Sequence, residues 1–312
     1  TLSVVEPSMS GIGGRAQILI YTPEQEVHGI DATTQAPAHY EFDDTAGVEY
    51  GYQTIAVPGV VKGLTDGLKD FGSLTLEQVM EPAIGYAQNG FVLLPGEAYR
   101  QESVKDILNE FAGTRQYYMN EDSTTKHAGQ WIIQSDLARV LKSISEKGPD
   151  VFYKGWIAQS MVADIRENGG FLTLKSLSDY KAERSHIVDG SYRSYGLKAL
   201  WLPAYGAITI EALQILEALP VNLNENRTWA RAVYHAINSA YMDKKEQKTL
   251  DDAERFTSKS WAKKRAAGTP FMNGSVNDAS SKVIKDSIPR GQKDPDGHTS
   301  NLTTVEKNGM EV

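Results

Sequence analysis

The 312-residue chain has no cysteine. Disulfides, zinc–thiolate sites, iron–sulfur clusters and thiol catalysis are therefore excluded, although the absence fits an oxidising or a reducing compartment equally and leaves location open. No apolar run reaches the roughly 18–20 residues that a membrane helix needs. Positive charge is in deficit, with 32 Lys and Arg against 40 Asp and Glu and a net charge of −8. Nucleic acid is thereby a poor partner, because phosphate binding needs a concentrated basic surface. No Gly-Lys-Ser/Thr follows a glycine-rich stretch, and no Gly-x-Ser-x-Gly elbow occurs. The six histidines (His28, His39, His127, His186, His235 and His298) show no metal-ligand spacing, and no cofactor or metal is expected. Ser10-Gly11-Ile12-Gly13-Gly14 is glycine-rich, but it leads into a strand rather than a helix, which argues against dinucleotide binding.

What is present reads as an α+β chain. Hydrophobic residues make up 40% and charged residues 23%, ordinary for a folded domain of this length. Residues 1–60 read as strand and turn, with a buried strand at Gln17-Ile18-Leu19-Ile20-Tyr21. From 74 to about 245 the pattern is mostly helical. Thr75-Leu76-Glu77-Gln78 is a capping box. Leu137, Val140, Leu141 and Ile144 form one apolar stripe ended by Gly148-Pro149, and Ile157, Met161, Val162 and Ile165 form another ended by Gly169-Gly170. Further helices are expected from Ile208 to Leu219 and around Trp229, Val233, Ala236, Ala240 and Tyr241. Residues 268–297 are rich in Gly, Pro, Ser, Asn, Asp and Lys and read as an exposed loop. The β-branched run Thr299-Ser300-Asn301-Leu302-Thr303-Thr304-Val305 follows, and then the hairpin signal Asn308-Gly309.

A polar loop thus delivers Thr299 to the start of a strand. Most such threonines only favour β structure. A chemical reading also exists. If the bond before Thr299 is cut, the freed α-amino group lies within reach of Oγ of the same residue. An α-amino group has a pKa near ~7.7–8.0, so it can accept the hydroxyl proton at neutral pH with neither histidine nor metal.

The chain resembles the γ-glutamyltranspeptidases, a family of N-terminal-nucleophile hydrolases, along its whole length. The resemblance lies in Val4-Val5-Glu6-Pro7 with Ser10-Gly11-Ile12-Gly13-Gly14, Asp31 with Ala36-Pro37, and Val57-Pro58-Gly59 with Gly63. It continues in Glu81-Pro82-Ala83-Ile84 with Gly90-Phe91, in Gln134 to Leu137, and in Gly148-Pro149 with Phe152-Tyr153-Lys154-Gly155. Gly169 to Leu174 with Asp179-Tyr180, Tyr192 to Gly196, and Ala236 through Asp243-Lys244 complete it.

The resemblance implies a four-layer αββα sandwich with a helical middle portion. It further implies cleavage between His298 and Thr299, Thr299 as nucleophile, and γ-glutamyl compounds such as glutathione as substrates. Residues 1–267 would be the large-subunit portion, 268–298 a linker, and 299–312 the first hairpin strand of the small subunit. The chain reads as cut short at both ends, with the rest of the small subunit as its partner. Members of the family are often exported. Ser300 falls on the family's second Thr, Asn301 on its His and Thr303 on its Ser. One departure bears on specificity. The family has Asp-x-Arg-Glu-x-Ala-Pro, whose Arg grips the α-carboxylate of the glutamyl group, and Thr33 stands in its place. Arg15 stands where the family has Gly, and two readings stay open for it, a cation offered to the ligand or a surface side chain. An acylase acting on a non-glutamyl small amide, and an uncut, silent binding relative, are the alternatives.

Overall fold

The computed structural model describes residues 1–41, 50–219, 226–268 and 302–304. The described residues hold seven strands and fourteen α-helices, the α+β class expected. They fall into two compact units. The first is built on Thr1–Ile18 and Ile30–Glu183, the second on Leu19–Gly29 and the described residues from 184 to 268. Strands β1 (Ala16–Tyr21), β2 (Val27–Ala32) and β5 (Glu183–Arg184) form a three-stranded sheet in the order β1-β2-β5.

The first unit is mainly helical: α1 (Leu2–Val5), α2 (Val60–Phe71), α3 (Leu76–Asn89), α4 (Pro95–Ser103), α5 (Lys105–Glu110), α6 (Ala112–Tyr118), α7 (Ser135–Lys147), α8 (Asp150–Tyr153), α9 (Trp156–Glu167) and α10 (Leu174–Asp179). The helix signals at 75, 148 and 157 hold. Thr75 Oγ1 accepts from the Gln78 amide while Gln78 Oε1 accepts from the Thr75 amide at 2.9 Å, a complete capping box. Gly148 ends α7 at φ 74°, the left-handed region where glycine carries no Cβ penalty. α1 is a departure, one helical turn where strand and turn were expected; Val4 anchors it, fully buried beside Ala87 and Ala138. A short antiparallel pair, β3 (Phe91–Val92) with β4 (Trp131–Ile132), interrupts the helices. The α8–α9–α10 side buries Phe152, Tyr153, Ile157, Leu172, Leu177 and Tyr180.

The second unit contains the hairpin β6 (Ile187–Tyr192) and β7 (Tyr195–Leu200), then α11 (Gly206–Ala218), α12 (Asn226–Asp243), α13 (Leu250–Phe256) and α14 (Lys259–Ala267). The hairpin is a strand pair within a stretch read as mostly helical. Its turn is Arg193-Ser194, with Arg193 at φ 53° and its amide bonded to the Glu217 carboxylate at 3.0 Å. α11 is apolar nearly all round and packs against α12, α14 and the hairpin. One of its buried residues is an acid. Glu211 is 0% exposed, and its Oε1 accepts from Trp261 Nε1 at 2.7 Å. The same Nε1 donates to Asp243 Oδ2 at 3.2 Å, and Asp243 is ion-paired with Arg265. Burial first, and then the hydrogen bond to Asp243, push the Glu211 carboxyl up to about 9 from its ordinary 4.5, so it is neutral at pH 7.

An acid whose folded pKa is raised gives stability that is complete below its unfolded pKa and is lost as pH rises through the folded one. Between about 4.5 and about 9 this single group should therefore lower stability by up to ~1.4 kcal/mol per pH unit. Glu211→Gln keeps the shape and the hydrogen bond from Trp261 without the titration. In urea unfolding at pH 6 and pH 8.5 it should flatten the decline, and a variant as pH-sensitive as the wild type would refute this account.

Candidate active site

The glycine-rich segment, the 31–37 segment and the 57–60 segment meet at Gly59. A Cβ built there would lie 2.1 Å from the Ala32 carbonyl oxygen and 2.3 Å from the Tyr180 hydroxyl, well inside van der Waals contact. Gly59 has φ −109°, open to any residue, so lack of space rather than backbone strain requires glycine. Gly63, one turn later, presses on the Ala32 Cβ in the same way at 2.4 Å. On its other side Gly59 donates its amide to the Gly14 carbonyl at 2.9 Å, and Val60 does so at 3.1 Å. The Lys62 amide donates to the Tyr153 hydroxyl at 3.1 Å. α2 has no side-chain cap from its own N-cap residue, so these contacts take up three of its four otherwise orphaned N–H groups. Gln35 and Val57 exchange two backbone hydrogen bonds, at 2.8 and 3.2 Å.

Two tyrosines brace the junction. Tyr153 and Tyr180 stack with ring centroids 5.6 Å apart and planes 6° from parallel. Tyr153 donates to the Pro58 carbonyl at 3.0 Å, and Tyr180 donates to the Thr33 carbonyl at 2.9 Å. Burial raises both phenols, that of Tyr180 to about 12 with the Asp31 charge adding to it, so both remain donors.

Thr33 sits in a side-chain network. Gln17 Nε2 donates to Asp31 Oδ1 at 2.5 Å and to Thr33 Oγ1 at 2.6 Å, and the Thr33 amide donates to Asp31 Oδ1 at 2.9 Å. Arg15 is exposed and forms no hydrogen bond or ion pair with the described residues. Gly14 and Ala32 both abut Gly59, so the backbones leading into Arg15 and Thr33 flank one point. Thr303 is exposed. His298, Thr299 and Ser300 lie outside the described residues, as do the 269–297 part of the linker and most of the 299–312 segment. Among the described residues no cluster of His, Asp and Glu is placed to hold a metal ion, and no helix is long and apolar enough to cross a membrane.

Sequence reasoning missed three participants. Gln17 was legible only as a polar residue opening an apolar strand. Tyr180 was matched to a motif with no role attached. Glu97 gave no signal. It is 1% exposed on α4, accepts from Ser8 Oγ at 2.6 Å, Gln101 Nε2 at 3.0 Å and Arg100 Nη2 at 3.0 Å, and so pins the segment leading into the glycine-rich stretch.

The sequence model of the family Gamma-glutamyltranspeptidase matches residues 1–312, the whole chain. The chain belongs to this family. It is 30% identical over 333 residues to a glutathione hydrolase proenzyme of Pseudomonas sp. strain A14, with 100% of this chain and 56% of that protein covered. An acylase ACY 1 proenzyme of Pseudomonas sp. strain SE83 is 31% identical over 241 residues, covering 70% of this chain and 42% of its own length. The crystal structure of Helicobacter pylori γ-glutamyltranspeptidase superposes with a TM-score of 0.80 at 25% identity, covering 89% of this chain and 88% of that one. The chain thus spans about half the length of the Pseudomonas A14 proenzyme it matches, and its fold is of the N-terminal-nucleophile hydrolase type.

Gly59→Ala should destabilise the family fold on the order of 3 kcal/mol, because its methyl meets backbone and a hydrogen-bonded hydroxyl that cannot yield. Gly85, inside α3 with nothing within 4 Å of its Cβ direction, is the control. Gly85→Ala should stabilise by roughly 0.5–1 kcal/mol. Urea denaturation reads both, and equal effects would show that space at Gly59 is not the constraint.

Proposed function

We propose that the protein containing this chain is an autoprocessed threonine-nucleophile amidohydrolase or acyltransferase acting on γ-glutamyl or related small amides. The observation that carries the reading is the family match, which extends over residues 1–312 and so includes 299–312. The relatives' description as proenzymes supports it. In this reading Thr299 Oγ attacks the His298 carbonyl, the peptide bond shifts to an ester, and water hydrolyses the ester. The chain then divides into a large-subunit portion over 1–267, a linker over 268–298 and the start of the small subunit from 299. The freed α-amino group accepts the proton from Thr299 Oγ, the hydroxyl attacks the substrate carbonyl, and water or an amine resolves the acyl-enzyme.

An acylase acting on a non-glutamyl amide is the second reading. Thr33 favours it, since a threonine supplies no bidentate charged clamp for a carboxylate, and so does the similarity to the SE83 acylase.

In the full-length protein Thr299→Ala should stay a single uncut chain, whereas Ser300→Ala should still be cut. Gel electrophoresis with N-terminal sequencing reads the result, the new terminus beginning Thr-Ser-Asn-Leu. Normal cleavage of Thr299→Ala would sink the assignment, and a wild type that stays uncut would favour a silent binding relative. Activity of the cut enzyme should rise with pH through an apparent pKa of roughly 6–8.5, as the terminal amine loses its proton.

A further inference from the structure

The 31–33 network can be read by counting its hydrogen-bond donors. Gln17 has two N–H groups on Nε2, and both are spent, on Asp31 Oδ1 and on Thr33 Oγ1. The Thr33 amide is spent on Asp31 Oδ1, and the Tyr180 hydroxyl on the Thr33 carbonyl. The reverse placing of the Gln17 amide would set its oxygen 2.5 Å from a carboxylate oxygen, so the Asp31 charge fixes the orientation. What remains is of one kind. Among the described residues Asp31 has no ion-pair partner, its second oxygen takes no hydrogen bond, and Gln17 Oε1 is buried without a partner. Of the side-chain donors of Gln17 and Thr33, the Thr33 hydroxyl proton alone is left to offer. Half-buried, the group carries a full negative charge and unfilled acceptors. A carboxylate brought here would meet repulsion and lose its hydration with a single neutral donor in return, whereas an ammonium would gain a charge-assisted hydrogen bond.

We propose that Gln17, Asp31 and Thr33 form an ammonium-binding subsite of the acyl-donor pocket, so that the preferred donor is an amide whose acyl chain carries an amine and no carboxylate at that point. The proposal rests on the amidohydrolase reading above and on the resemblance that sets Thr33 where the family's Arg grips the acyl group. Asp31 supplies the charge. Gln17 is a positioning residue that holds Asp31 and Thr33 in register from the neighbouring strand.

Three p-nitroanilides separate the terms in the full-length, processed wild-type protein. γ-Glutamyl-p-nitroanilide has both groups, 4-aminobutyryl-p-nitroanilide lacks only the carboxylate, and glutaryl-p-nitroanilide lacks only the amine. The expected order of kcat/KM is 4-aminobutyryl first and glutaryl last, the extremes differing by roughly 10-fold or more, as one charge-assisted hydrogen bond allows. Asp31→Asn should shrink the ratio of these two by at least about tenfold, and Thr33→Arg should invert it. A processed protein that prefers the glutaryl compound, or turns over none of the three, overturns this proposal and leaves the nucleophile reading standing. A protein that is neither cut nor active overturns both. Because the substrate order is read on the wild type, misfolding of a variant does not protect the idea.

Discussion

The first unit is organised around a place where a side chain cannot be. Gly59 lets the carbonyl of Ala32 and the hydroxyl of Tyr180 approach to distances that a single methyl would forbid. From that approach follow the seating of the 31–37 segment and the hold of Gly14 on the first amides of α2. A helix that starts with glycine and no side-chain cap would ordinarily leave its first N–H groups to water. Here a carbonyl of the glycine-rich segment and a tyrosine hydroxyl occupy three of them, so the start of α2 fixes neighbouring chain.

Two buried acids are accommodated in different ways. Glu97 is ion-paired with an arginine one turn along its own helix and takes hydrogen bonds from Ser8 and Gln101. Glu211 is fully buried with a second acid beside it, and these outweigh the opposing indole N–H, so it takes up a proton instead. The first arrangement ties a distant segment to α4. The second makes the packing of α11, α12 and α14 lose stability as pH rises from about 4.5 to about 9.

Local signals were the legible ones. The capping box at Thr75 and Gln78, the glycine stop at 148 and the apolar stripe of α9 all depend on residues within a turn of one another, and each was readable before the structure. The hairpin β6–β7 was not, because Asp189-Gly190-Ser191 breaks its alternation and the glycine is needed where Ile210 packs against it. Glu97 and Ser8 are 89 residues apart, and Tyr180 and Thr33 are 147 apart. No periodicity announces a partner so distant. The family was legible because its motifs recur in order, while the network of Gln17 with Thr33 needed coordinates.

The parts of the Gly59 junction also have an order in time. Gly14, Thr33, Gly59, Tyr153 and Tyr180 all precede residue 181, so a chain made from its N terminus holds every one of them more than a hundred residues before Thr299 is added. Contacts of such long separation form slowly, since the intervening loop must close first. Vectorial synthesis gives them a head start. The segment that flanks Thr33 can be braced by its tyrosines while the residue proposed to cut the chain has yet to be made.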